Sequence, residues 1–218
     1  MQKKSSKLLF AYWNELRGSR SAPDRRDLDP TQIRDALANT FILQAEEDGH
    51  FTFRLAGSHL CSSYCRELKA RSFSALWQEK DIDAIETLIR AVTDDHAVAL
   101  VTFQGNTASG QHAKFEVILL PLRHNGSTSA RILGGMTALS EPYWLGAQPI
   151  IEQKITGLRL IWPDDPAVTG ANGNDHIAFP DREAALSAAS GPVAVPVRVY
   201  GFEARRYAHL AVIDGGRS

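Results

Sequence analysis

The segment of residues 29–77 constrains the fold of this chain more than any other part of the sequence. It opens with signals for the start of a helix, because Asp29 suits the N-cap and Pro30 suits the first helical position. Two strand-like runs follow, at residues 41–45 and 51–55. The Asp-Gly pair between them is a hairpin signal, because glycine adopts positive φ at little cost. This order predicts a short helix followed by two antiparallel strands.

Residues 57–139 complete a predicted α+β core. Residues 57–70 are typical of short helical turns, because large apolar side chains recur at every fourth position. A longer helix is predicted to begin at Asp81, and three more strand-like runs follow at residues 98–104, 114–122 and 131–139. We therefore expect a five-stranded antiparallel sheet with helices on one face.

A flanking helix is predicted before this core, at residues 5–17. Its large apolar residues fall at helical spacing and form one stripe. Such a stripe needs a partner surface, and two alternatives remain open: it packs on the chain's own sheet, or it is a dimer contact. If the stripe is an interaction surface, its residues are Leu9, Tyr12, Trp13 and Leu16.

The sequence divides into residues 1–28, an N-terminal helix and loop, residues 29–145, the core domain, and residues 146–218, a C-terminal extension. The extension has few large apolar side chains, so we expect an appendage that is partly ordered or flexible. Its weak patterns predict a short helix at 151–162, a linker at 163–175, a second short helix at 184–189, and β-like runs at 193–199 and 208–213.

Composition and charge exclude several classes of function. The formal net charge is −1 and the pI is about 6.7, which gives no case for a nucleic-acid or anionic-membrane partner. No apolar run reaches the ~18 residues that a membrane span needs. The N-terminal residues lack the features of a signal peptide, and the chain has 2 cysteines, so we expect a reducing cytoplasm.

Catalytic and metal-binding motifs are missing from the sequence. It contains no nucleophile elbow, P-loop, dinucleotide fingerprint or zinc-protease His pair, so we predict no catalytic residue and no enzyme. His59, Cys61 and Cys65 are the nearest approach to a metal cluster. A second ligand pair is absent and cysteine is commonly a small buried hydrophobe, so no metal site is predicted.

Two predictions concern arginines. The basic pair Arg25-Arg26 lies between Asp24 and Asp27, and is interpreted as part of a solvated loop. Arg54 is predicted to form an ion pair with Glu67, which would tie the second strand to the helical turns.

A sheet that curls around short helices leaves an apolar interior in which a small ligand can bind. His59, Tyr64 and Trp77 are the most informative candidates, because each can offer a polar atom from an otherwise apolar wall. The full set of candidate pocket residues is Phe53, His59, Tyr64, Phe73, Trp77, Phe103, Phe115 and Met136. The sequence does not identify a cofactor.

An ordered series of short segments resembles the stand-alone PAS-domain regulators of alphaproteobacteria. The likeness covers about residues 5–145 and lies in Asp27-Leu28-Asp29-Pro30, Ile33-Arg34, Leu37, Phe41-Ile42-Leu43, Phe53-Arg54-Leu55-Ala56-Gly57, Arg66-Glu67-Leu68-Lys69 and Leu76-Trp77. The resemblance implies a cytoplasmic bacterial regulator that works in signal transduction through protein contacts. It implies no established cofactor, and the segment from His59 to Arg66 departs from the cysteine motif of flavin photosensors.

Two functional hypotheses follow. The first is a non-enzymatic PAS sensor that binds a small ligand, a protein partner or both to control a signalling pathway, with a homodimer as a possible assembly. The alternative is a ligand-free protein-interaction module whose core is filled by its own side chains.

Overall fold

The computed structural model describes residues 1–124 and 127–162. The α-helices are α1 (Lys4–Arg17), α2 (Ser58–Ser63) and α3 (Glu79–Thr93), and 3₁₀ helices span Arg25–Asp27, Pro30–Asn39 and Ser74–Leu76. The strands are β1 (Thr40–Ala45), β2 (Phe51–Ala56), β3 (Val98–Thr107), β4 (His112–His124), β5 (Ser127–Ala138) and β6 (Ile150–Ile161). They form one sheet of order β2-β1-β5-β4-β3-β6, in which all neighbours are antiparallel.

This architecture confirms the predicted α+β class, but the sheet has six strands where five were expected. The short helix predicted at residues 151–162 is wrong, because β6 lies there and pairs with β3 along its length. Two irregularities in that pairing explain the error. Each bulge adds one residue to β6, so its inward side chains fall at Ile150, Gln153, Ile155, Leu158 and Leu160, which departs from the strict alternation that marks a strand.

Strand β6 lies beyond residue 145, so the sheet includes residues that the sequence assigned to the extension. The predictions for 163–175, 184–189, 193–199 and 208–213 lie outside the described residues.

The helix predicted to start at Asp29 is a 3₁₀ helix, with a non-helical backbone at Ile33. Asp29 has the expected capping role, because its Oδ1 accepts a hydrogen bond of 2.9 Å from the backbone N–H of Thr31. In the described part of the chain, no helix combines the length and the apolar character needed to cross a membrane.

The two faces of the sheet pack against different helices. Val101 and Phe103 join the core cluster with apolar side chains of α2 and α3, whereas Leu100 lies outside that cluster, because successive side chains of a strand point to opposite faces. We call this the inner face. Helix α1 covers the outer face over β4 and β5, where the indole N–H of Trp13 donates to the carbonyl of Pro121 at 2.7 Å.

Consecutive glycines in β5 allow both layers to approach closely. A Cβ at Gly134 would collide with the ring of Phe41 on the inner face. A Cβ at Gly135 would collide with the Leu9 side chain of α1 on the outer face. The backbone of β5 therefore has the aromatic core packed closely against one face and α1 packed closely against the other.

Each edge of the sheet is partly covered by a segment that lies between β2 and β3 in the chain. The Phe53 N–H of β2 donates to the carbonyl of Arg71 at 2.9 Å. At the other edge, the Ile155 N–H of β6 donates to the Asp81 carboxylate at 2.9 Å, and Gln78 N–H donates to the carbonyl of Gln153 at 3.0 Å. These bonds occupy groups that an edge strand would otherwise offer to another chain.

Candidate functional site

Six aromatic rings form an unbroken series on the inner face of the sheet. The centroids of successive rings lie 4.9–5.8 Å apart, within the range of favourable aromatic pairs. In order, the series is Phe41, Phe53, Phe73, Trp77, Phe103 and Phe115. Along this line the chain's own side chains fill the interior.

Most of the predicted pocket residues lie together in this core. Phe53, Tyr64, Phe73, Trp77, Phe103, Phe115 and Met136 are all buried members of the same cluster. His59 is the exception: its side chain is exposed, and its Nδ1 lies 3.3 Å from Asn39 Oδ1. Helix α2 turns Leu60 and Ser63 inwards, a three-residue spacing that leaves His59 on the solvent side.

Three polar side chains interrupt the apolar core, and we call Tyr64, Gln153 and Trp77 the core polar group. Gln153 Nε2 donates to the Tyr64 hydroxyl at 2.5 Å, and that hydroxyl donates to Met136 Sδ at 3.6 Å. Trp77 and Gln153 are neighbours through a backbone bridge. Among the described residues, the buried Trp77 Nε1 has no hydrogen-bond partner. The core therefore contains one buried donor that is available to an acceptor.

Burial raises the pKa of Tyr64 far above its ordinary value of 10.0, although Arg66 and the bond from Gln153 lower it. The folded protein therefore keeps this phenol neutral where an unfolded chain ionises it. We expect the contribution of Tyr64 to the free energy of unfolding to be fully present below pH 10.0 and to fall as the pH rises above that value.

Tyr64→Phe is expected to reduce this loss of stability at alkaline pH. At neutral pH, the variant should be less stable by about 1–2 kcal/mol, because Gln153 loses its acceptor. Urea unfolding at neutral pH and at about pH 10.5 measures both effects. Tyr143→Phe is the control, since Tyr143 is 90% exposed. Equal alkaline losses in the wild type and Tyr64→Phe would contradict the assignment.

Three buried residues of this region were missed in the sequence. Phe41 could have been found, because alternation along its strand places it with Leu43. Gln153 was missed because its strand was taken for a helix. Trp144 is 4% exposed and belongs to the core cluster, but it lies in the loop where the domain was expected to end.

The apolar stripe of α1 packs on the chain's own sheet, which is the first of the two alternatives. Leu9 and Trp13 are 0% exposed, whereas Tyr12 and Leu16 are half-buried. The Arg17 guanidinium lies 5.5 Å from the Trp13 ring centroid and covers the far side of the stripe. Of the four predicted interaction residues, Tyr12 and Leu16 are therefore the ones accessible to another molecule.

The first turn of α1 is held by a buried carboxylate on β4. Glu116 is 0% exposed, and its carboxylate accepts hydrogen bonds from the backbone N–H groups of Gln2 at 2.8 Å and Lys3 at 3.4 Å. The hydroxyls of Ser5 and Thr137 lie 2.7 Å apart beside it. A carboxylate at a helix N-terminus also interacts favourably with the helix dipole.

Residues 1–124 and 127–162 contain no group of three His, Cys, Asp or Glu side chains that could hold a metal ion. Both cysteines are free thiols, and Cys65 Sγ lies 3.6 Å from the carbonyl of Gly146. This contact joins the end of α2 to the loop before β6.

A model of the PAS domain family matches residues 1–137. The chain belongs to the PAS domain family. The match includes α1 and strands β1 to β5, and β6 follows beyond its end. PAS domains are generally sensory modules rather than enzymes, so the chain carries a sensory signalling domain. No curated protein matches the chain significantly.

Solved structures with a similar fold are PAS and light-oxygen-voltage domains. A light-oxygen-voltage domain with a flavin analogue is 16% identical, with a TM-score of 0.41, over 52% of this chain and 85% of its own. The PAS domain of a Colwellia psychrerythraea protein is 11% identical, with a TM-score of 0.39. That match covers 52% of this chain and 100% of the other. A third similar structure is the PAS domain of a LuxR-family transcriptional regulator from Burkholderia thailandensis, in complex with ethanol. It is 17% identical, with a TM-score of 0.38, and the match covers 52% of this chain and 100% of the other.

Proposed function

We propose that this PAS protein is a non-enzymatic cytoplasmic regulator that controls a bacterial signalling pathway through contact with a protein partner. Helix α1 is the output element in this proposal, and it exchanges between the docked position and a released one. The supporting observation is that β4 and β5 carry α1 on one face and the aromatic core on the other.

The alternating side chains of β4 connect the two layers. Val117 and Leu119 belong to the inner core cluster, whereas Ile118, between them, lies beside Gly135 on the face that Leu9 contacts. A packed interior is not easily compressed, so a shift of the inner side chains moves the strand and changes the surface on which α1 rests.

Release of α1 would expose an apolar stripe that a partner can bind. Leu9 and Trp13, which are buried in the docked arrangement, would both become exposed. Their spacing is one that a hydrophobic groove recognises on an amphipathic helix. Glu116 would lose the N–H groups of Gln2 and Lys3 at the same time. Because that loss is unfavourable, the docked arrangement is the default state and the partner supplies the free energy of release.

Site-specific photo-crosslinking in cells tests this proposal. A benzoylphenylalanine at position 12 or 16 of α1 should form a covalent adduct with one protein of defined mass. The control is the same side chain in place of Arg90, an exposed residue of α3. An adduct of twice the chain mass would identify a second copy as the partner. Equal labelling at all three positions, or none on α1, would refute the role of α1.

A small ligand is the second candidate for the signal that the domain receives, and the unpartnered Trp77 Nε1 favours it. A ligand with a hydrogen-bond acceptor would satisfy that donor within the core polar group. Native mass spectrometry of the purified protein should then retain an added mass that Trp77→Phe loses. Repeated absence of such a mass from the wild type would favour the filled module, in which the partner alone provides the signal.

A further inference from the structure

A small cleft of about 140 Å³ opens between the Arg25–Asp27 turn and the end of β4. A backbone bridge between Asp24 and Arg123 holds these segments together, and in it Arg123 N–H donates to the carbonyl of Pro23 at 2.9 Å. We call it the arginine cleft, and it is lined by Asp24, Arg25, Arg26, Arg123 and His124.

The acidic neighbours of the Arg25-Arg26 pair do not neutralise it. Arg20 Nη1 lies 3.3 Å from the Asp24 carboxylate and 3.0 Å from the Asp27 carboxylate, so both acids are occupied by a third arginine. In the part of the chain that the structure describes, no carboxylate lies within 4.0 Å of the Arg25, Arg26 or Arg123 guanidinium. The two acids therefore interact with Arg20. Within the described residues, the guanidinium groups of Arg25, Arg26 and Arg123 form no ion pair with a carboxylate.

Further positive charge lies beside the cleft. Burial lowers the pKa of Arg131, the charges of Arg54 and Arg25 lower it further, and Glu46 raises it. Arg54 is exposed and donates to Gln44 Oε1 at 3.4 Å, so the predicted ion pair with Glu67 is wrong. The region thus combines several guanidinium groups with little compensating negative charge.

We propose that the arginine cleft binds the phosphoryl group of a phosphorylated ligand. Guanidinium groups match phosphate oxygens with paired hydrogen bonds, and Arg25, Arg26 and Arg123 approach one space from two segments. Pockets for drug-sized molecules span about 300–1,000 Å³, so a volume of about 140 Å³ suits a single oxyanion better than a whole cofactor. The site is separate from the core polar group and does not depend on the proposed role of α1.

Inorganic phosphate is the probe for the test, titrated at constant ionic strength against chloride so that general screening cancels. Binding is measured by isothermal titration and by amide chemical shifts of the full chain. The double variant Arg25→Gln/Arg123→Gln is expected to raise the phosphate dissociation constant at least about tenfold, because it removes two charged donors. The matched control Arg34→Gln/Arg90→Gln removes the same charge from two exposed positions and should bind as the wild type does.

The single variant Arg26→Gln provides a second measure if the double variant does not fold, and a threefold or greater weakening is expected. The proposal is overturned if the wild type shows no saturable phosphate binding, or if the control pair weakens binding as much as the cleft pair. Two further titrants separate the sources of the phosphoryl group: tighter binding of pyrophosphate indicates a small phosphorylated molecule, and tighter binding of a phosphoserine peptide indicates a modified protein.

Discussion

Trp13→Ala is expected to lower the free energy of unfolding by about 3–5 kcal/mol, as for other large aromatic side chains removed from a core. Trp13 is 0% exposed, and its indole N–H donates to the Pro121 carbonyl at 2.7 Å. The truncation therefore leaves a large cavity between α1 and the sheet and a buried carbonyl without its donor. Urea unfolding followed by circular dichroism measures the change.

Two controls separate docking from the helical propensity of α1. Trp13→Phe keeps most of the ring but removes the donor to Pro121, so an intermediate loss of about 1–3 kcal/mol is expected. Glu15→Ala changes an exposed position of the same helix and should fall within about 0.5 kcal/mol of the wild type. If Trp13→Ala proves as mild as Glu15→Ala, then α1 is not docked on the sheet in solution.

Glu116→Ala is expected to cost about 3 kcal/mol, the second-largest effect. The change removes a fully buried carboxylate and leaves the backbone N–H groups of Gln2 and Lys3 without their acceptor. Hydrogen exchange should show the loss first in the amides of α1, because the aromatic core is untouched. Glu116→Gln keeps an acceptor oxygen in place and should retain about half of that stability. Equal protection of α1 in the wild type and Glu116→Ala would refute the assigned role of this carboxylate.

Strand-like composition predicted five of the strands, because each is a run rich in apolar and β-branched residues and most are bounded by turn signals. It failed at β6, where two bulges disturb the alternation by which a strand is recognised. The face on which a side chain lies also follows from strand geometry: Val101 and Phe103 share the core, and Leu100 lies opposite. Such patterns depend only on the local backbone, so they can be read from one chain.

The polar parts of the sites could not be predicted in this way. The Tyr64–Gln153 bond joins residues that are 89 positions apart, and only the pairing of β6 with β3 brings them together. The arginine cleft could not be predicted for a related reason. Asp24 and Asp27 are next to Arg25 and Arg26 in the chain, but in space their carboxylates interact with Arg20. The order of residues in the chain therefore does not show which charges interact in space.

The position of β6 bears on how this protein can be divided for study. A fragment cut where the family match stops, at residue 137, would lack the strand that caps the far side of β3. The edge of β3 that faces β6 would be left with open hydrogen-bonding groups at about every second residue, and the Tyr64 phenol would lose its amide donor. Recombinant pieces meant to behave as monomers should therefore run at least to Trp162.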